Sequence, residues 1–118
     1  MTTGPSDLLR RAEDEMAIES NRRAGGDPSK PTGIEFWVYL PTRSSVDAFV
    51  RAARHAGYDA SVHAPVPADF PSKNPWTVRL MRRDRLTIEV ITKYSDVLDS
   101  LAKRYGGDFD GWDADVNR

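Results

Sequence analysis

The chain has 118 residues, 39% of them apolar and 30% charged, with 17 basic and 18 acidic side chains and a net charge of −1. That length allows one domain around a single modest core, and the near balance of charge excludes an overall field drawing it to nucleic acid or to an anionic membrane. It contains no cysteine, which excludes a disulfide frame, a thiol nucleophile and a thiolate metal site. No apolar run approaches the roughly 20 residues needed to span a bilayer. Met1 to Asp7 lead into mixed charge rather than an apolar signal core, so a cytoplasmic protein is expected.

Residues 1–6 read as a disordered tail. Asp7 can cap a helix reaching about Arg23, with Leu8, Leu9, Ala12 and Met16 at 3–4 spacing and acids and arginines mixed over the rest of its surface. Ala24-Gly25-Gly26-Asp27-Pro28 stops it, because glycine takes the left-handed cap and proline cannot continue a helix. Residues 1–30 are therefore expected to be an N-terminal helix and linker, and 31–118 the main domain. Ile34 to Leu40 alternates Ile34, Phe36, Val38 and Leu40 with Glu35, Trp37 and Tyr39, the period of a strand. Bulk on both faces predicts a central position.

Pro41 ends that strand. Ser44 is the expected N-cap of a helix with Val46, Phe49, Val50 and Ala53 on one face and Gly57 at its C-terminal end. Tyr58 to His63 predicts a short edge strand. Ala64 to Pro75 holds four prolines and reads as an extended loop. Trp76 to about Arg83 alternates again as a strand. Thr87 can cap a helix carrying Ile88, Ile91, Tyr94, Leu98, Leu101, Ala102 and Tyr105, which would span about 27 Å. Gly106-Gly107 end it, and Asp108 to Asp113 form the last strand. After the first helix the order is β-α-β-β-α-β, the α+β, ferredoxin-like pattern in which a four-stranded antiparallel sheet carries both helices on one face and strands one and three are central.

Leu101-Ala102-Lys103-Arg104-Tyr105 followed by Gly107-Asp108-Phe109-Asp110-Gly111-Trp112 resembles the family named for regulator of ribonuclease activity B, protein inhibitors of ribonuclease E. In that family a helix ending in Leu-Ala precedes an aromatic-Asp-Gly-Trp strand, so Asp110, Gly111 and Trp112 stand at the signature. Gly26-Asp27-Pro28 before the strand from Ile34, and the helix ending at Ala56-Gly57-Tyr58, are also similar, and the likeness covers about residues 8–113. It implies the ferredoxin-like fold and a non-catalytic, protein-binding regulator of RNA degradation with ribonuclease E as partner. The family's inhibitor is strongly acidic, whereas this chain is nearly neutral.

By alternation, the sheet face away from the helices should gather Trp37, Tyr39, Arg79, Met81, Asp110 and Trp112, with Asp110 paired to Arg79. A fully exposed patch of that kind is unusual in a monomer. The N-terminal helix could lie across it through Leu8, Leu9, Ala12 and Met16, or a protein partner or a second copy in a homodimer could cover it. An aromatic and basic sheet face also resembles platforms for single-stranded RNA, which makes an RNA-binding module the alternative reading. The Gly-aromatic-Gly signature of such domains is missing from Thr77-Val78-Arg79-Leu80-Met81, and Arg82, Arg83 and Arg85 read as a solvated turn. The acids around Gly111 lack calcium-loop spacing, since the glycine falls fourth from Asp108 rather than sixth. His55 and His63 are not at a metal-ligand spacing. No phosphate loop or nucleophile elbow occurs, so no cofactor, metal or enzyme activity is expected. Gly111 is expected to be glycine because another group approaches it closely.

Overall fold

The computed structural model describes residues 5–63, 65 and 72–117. In chain order its elements are α1 (Pro5–Arg23), β1 (Pro31–Leu40), α2 (Arg43–His55), β2 (Asp59–His63), β3 (Trp76–Arg85), α3 (Ile88–Arg104) and β4 (Asp108–Ala114). The strands form one antiparallel sheet in the order β2-β3-β1-β4. This is the ferredoxin-like arrangement, with β1 and β3 central. Of the expected tail, residues 1–4 lie outside the described residues, and Pro5 already opens α1. Residues 64 and 66–71 of the proline-rich loop lie outside them as well.

The core follows from the alternation. Ile34, Phe36, Val38 and Leu40 point to one side and are fully buried, as are Val78 and Leu80 beside them. Above them α2 lays down Val46, Phe49, Val50 and Ala53, and α3 lays down Ile91, Tyr94, Leu98 and Ala102. Phe36 sits at the centre, edge-on to Tyr58 and Tyr94 with ring centroids 6.0 and 6.4 Å away and 6.4 Å from Phe109. Edge-to-face contacts of this kind add to the area that the rings bury.

β1 and β3 are longer than their apolar runs. Pro31, Thr32 and Gly33 pair with Arg85, Asp84 and Arg83, and strand pairing needs only the backbone, so polar residues extend it without an apolar mark. The N-cap of α2 is Thr42 rather than the expected Ser44. Its hydroxyl accepts the Ser45 amide N–H at 3.1 Å, and Ser45 Oγ accepts the Thr42 amide N–H at 3.1 Å, a reciprocal capping box. Only Pro41 and Thr42 separate the end of β1 from the helix, which starts at Arg43 and leaves Ser44 already inside it. Thr87 caps α3 as expected, accepting from the Val90 N–H at 3.3 Å. At the end of α2, Gly57 at φ 98° lets the Tyr58 N–H reach Ala53 O at 3.1 Å and its own N–H reach Arg54 O at 3.0 Å. That Schellman closure is why Tyr58 lies in the core, just before β2.

α1 does not lie across the open face of the sheet. It packs along α3 and the β4 edge through Arg10, Asp14, Ile18 and Asn21, positions that recur every three or four residues and so share one side of a helix. Arg10 pairs with Asp96 at 3.6 Å and Asp99 at 3.2 Å, and its guanidinium stands 6.0 Å from the Phe109 ring centroid. Asp14 accepts the Trp112 indole N–H at 2.8 Å. Ile18 packs against the core, and the Asn21 amide donates to the carbonyls of Ala114 and Asp115 at 3.4 and 3.1 Å. Leu8, Leu9 and Met16, expected to dock, are 60%, 62% and 73% exposed. Specific polar partners on α3 and β4 outweigh a thin apolar stripe.

Candidate functional site

The second face of the sheet, away from α2 and α3, is where the expected partner-binding residues belong. Residues directly opposite one another in an antiparallel pair share a face, so the register assigns each of them. Arg79, Trp37 and Gly111 form one row across β3, β1 and β4, Thr77, Tyr39 and Asp108 the next, and Met81, Glu35 and Asp113 the row on the other side. Trp37, Tyr39, Arg79 and Met81 thus lie together on the open face as expected, and none of them is buried.

Trp112 leaves that group. It pairs with Phe36, and Phe109 pairs with Val38, so both face the helices although simple alternation puts them on opposite sides. The register shifts between Trp37 and Val38, which makes Asp110 the extra residue of a β-bulge. A bulge places two residues against one and reverses the facing of everything beyond it. Gly111 takes φ 120° there, a conformation that costs an L-residue its usual steric freedom. A Cβ on Gly111 would meet nothing within 4 Å, so the expected close approach is absent and the backbone angle is the reason for glycine.

The expected Arg79–Asp110 pair is absent too, because β1 lies between their strands. Arg79 pairs with Glu35 from the next row. Asp110 Oδ2 accepts the Tyr39 hydroxyl at 2.8 Å, and that carboxylate, with partial burial behind it, raises the phenol's pKa. At the same end of the sheet the Asn74 amide donates to Asp108 Oδ2 at 2.6 Å. The face is therefore amphipathic and polarised. Trp37, Tyr39 and Met81 supply apolar area near the middle, Arg79 and Arg83 stand on β3, and Glu35, Asp108, Asp110 and Asp113 line the β1–β4 side.

On the helical side of the bulge, α1, α3 and β4 enclose a cleft of about 270 Å³ lined by Glu13, Asp14, Ser95, Phe109, Asp110 and Trp112 among others. Burial raises the pKa of Asp14, opposed by the hydrogen bond from Trp112 and by the charge of Arg10. Ser95 is 1% exposed and its hydroxyl has no hydrogen-bond partner among the described residues.

Sequence reasoning missed Asp14 and Ser95, which carry no local signal. It also misread Arg82. That guanidinium is not solvated in a turn but lies 5.0 Å from the Tyr58 ring centroid and 4.4 Å from that of Tyr94, donating to Ala56 O at 3.0 Å. Tyr94 donates its hydroxyl to Asp84, which holds that carboxyl below its ordinary pKa. Burial pushes the Tyr58 phenol up to about 12. Continuing the alternation of Trp76, Val78 and Leu80 two steps further would have placed Arg82 and Asp84 inward.

His55 ends α2 and His63 ends β2, both exposed. Among the described residues no group of three histidines or carboxylates is placed to hold a metal ion, and no helix is long and apolar enough to cross a membrane. A family model described as regulator of ribonuclease activity B, RraB, matches residues 11–114, from the second turn of α1 to the end of β4. No curated protein matches the chain.

Proposed function

We propose that this chain, which belongs to the RraB family of regulators of ribonuclease activity, is a cytoplasmic, non-catalytic regulator that binds ribonuclease E and modulates RNA cleavage through the open face of its sheet. The observation that carries the reading is the open-face set of half-buried Trp37, Tyr39 and Arg79 with exposed Met81 and Asp110, left uncovered by α1, in a chain that matches the family over nearly its whole length. A face with aromatic area in the middle and charges of both signs at its margins has the composition of a protein interface, in which tryptophan and tyrosine anchors carry most of the energy. The acids along β4 favour a partner that brings basic side chains.

The single-stranded RNA reading loses support from the same geometry. Trp112 is turned to the helices, Arg79 is matched by Glu35, and four carboxylates flank Trp37 and Tyr39, all unfavourable to a phosphate backbone.

The test is co-purification of the chain with ribonuclease E, followed by RNA cleavage with and without it. A buried tryptophan hot spot is worth about 2 kcal/mol, so Trp37→Ala should weaken the complex about 30-fold. Absence of binding together with an unchanged cleavage rate would overturn the proposal. Quenching of tryptophan fluorescence by a short RNA in the absence of any protein partner would favour the RNA reading instead.

A further inference from the structure

The cleft behind the β4 bulge has more polar chemistry than the fold requires. Glu13 opens onto it and Asp14 stands in its wall. Among the described residues Asp14 accepts one hydrogen bond, from Trp112. Each carboxylate can accept up to about four hydrogen bonds. Glu13 makes no ion pair among the described residues. The one cation of the lining, Arg10, is already held by Asp96 and Asp99. Two aromatic rings, Phe109 and Trp112, and the Leu9 side chain of α1 also line it. Beneath them lies the Ser95 hydroxyl, buried and without a partner among the described residues, which is costly unless something satisfies it.

We infer that this cleft is a receptor for one arginine side chain of a partner protein, its guanidinium placed between the carboxylates of Glu13 and Asp14, against the Trp112 indole and over the buried Ser95 hydroxyl. Arginine fits these groups better than lysine. Its planar fork presents five donors, bonds carboxylates in pairs, stacks on aromatic faces and gives up its hydration more readily than an ammonium. A guanidinium also satisfies several separated acceptors at once, where a single ammonium is a point charge. Occupation would favour the ionised form of Asp14, which burial alone disfavours.

The inference rests on the regulator reading for the identity of the partner, but the site can be tested without it. The full chain, labelled with nitrogen-15, gives three indole N–H signals, from Trp37, Trp76 and Trp112. That of Trp112 is assigned by Trp112→Phe. Titration with a glycine-flanked peptide carrying one arginine should move the Trp112 signal saturably and leave that of Trp76 in place. The same peptide with citrulline, which keeps the shape and loses the charge, should not move it. Glu13→Gln alters an exposed side chain, and Asp14→Asn keeps an acceptor for the indole, so both variants should fold. Each should weaken the response about tenfold, as expected for loss of one charge-assisted contact.

An equal response to the citrulline peptide, or an undiminished one in both variants, overturns the inference. So does a lack of response in the folded wild-type chain. Ribonuclease E binding is measured separately. If it survives in the Glu13→Gln, Asp14→Asn double variant, the arginine site falls as the contact for that partner while the regulator reading stands. If the wild-type chain never binds ribonuclease E but the arginine peptide is bound, the site stands and the regulator reading falls.

Discussion

Replacing Gly111 with alanine or valine separates two explanations for that glycine by magnitude. The position has φ 120° and open space for a Cβ, so an added side chain meets no packing penalty, and the cost is that of holding an L-residue at a positive φ. A single residue in such a region costs about 1–3 kcal/mol. A transition of this chain length should move about 3–6 °C per kcal/mol, so either variant should melt roughly 6–12 °C below the parent, taking a mid-range cost of about 2 kcal/mol. Because strain rather than volume sets the cost, alanine and valine should differ by less than about 1 kcal/mol. Overpacking would instead grade steeply with size, by about 1–3 kcal/mol for added methyl groups. The assay is reversible thermal melting followed by circular dichroism, with urea unfolding as a second measure. Valine falling far below alanine, or neither moving the transition, would refute the assignment of this glycine to the bulge.

Thr42→Ala removes half of a capping box and should cost about 0.5–2 kcal/mol, while Ser44→Ala, inside the helix, should be nearly neutral; urea midpoints distinguish the two. The joint change Leu8→Ala, Met16→Ala alters an exposed surface and should stay within about 0.5 kcal/mol, whereas Ile18→Ala on the docked side should cost about 1–2 kcal/mol, less than a full core truncation because Ile18 is only half-buried; a reversed order would mean that α1 docks by its other side. Tyr94→Phe deletes the donor to Asp84, a bond to a charged group of about 1.5–3 kcal/mol when shielded and less at this half-exposed site. Because that bond lowers the folded-state pKa of Asp84, its contribution is present above the ordinary carboxylate pKa and lost as pH falls through the folded value, so the gap between parent and variant should close in acid. A gap that widens in acid would contradict the assignment.

Periodicity made most of the frame legible. Strict alternation from Ile34 to Leu40 and the 3–4 spacing of Val46, Phe49, Val50 and Ala53 reflect burial of one face against one core, and burial leaves a local mark in sequence. Thr87 capped α3 as its chemistry demands. What escaped depends on relations between distant segments. Nothing in Asp108-Phe109-Asp110-Gly111-Trp112 fixes which residue is skipped until β1 supplies the register, so Trp112 was assigned to the wrong face and with it one member of the candidate surface. The docking of α1 by Arg10, Asp14 and Asn21 was equally hidden, since each of their partners lies about ninety positions further along the chain. Arg82 shows a different limit: a charged side chain between two tyrosines looks, in sequence, like any solvated arginine.

The position of α1 has a consequence for how the molecule behaves in a crowded solution. An open sheet has two borders, and an unguarded border offers backbone donors and acceptors to any passing strand. On the β4 side the bulge bends the border, Asn21 occupies the carbonyls of Ala114 and Asp115, and α1 lies alongside. On the β2 side the border is only five residues long, Asp59–His63, with polar Asp59, Ser61 and His63 alternating with Ala60 and Val62. The helix that precedes the sheet thus acts as a guard against edge-to-edge polymerisation. Shortening the chain to the sheet domain alone should raise its tendency to aggregate more than it lowers its melting temperature.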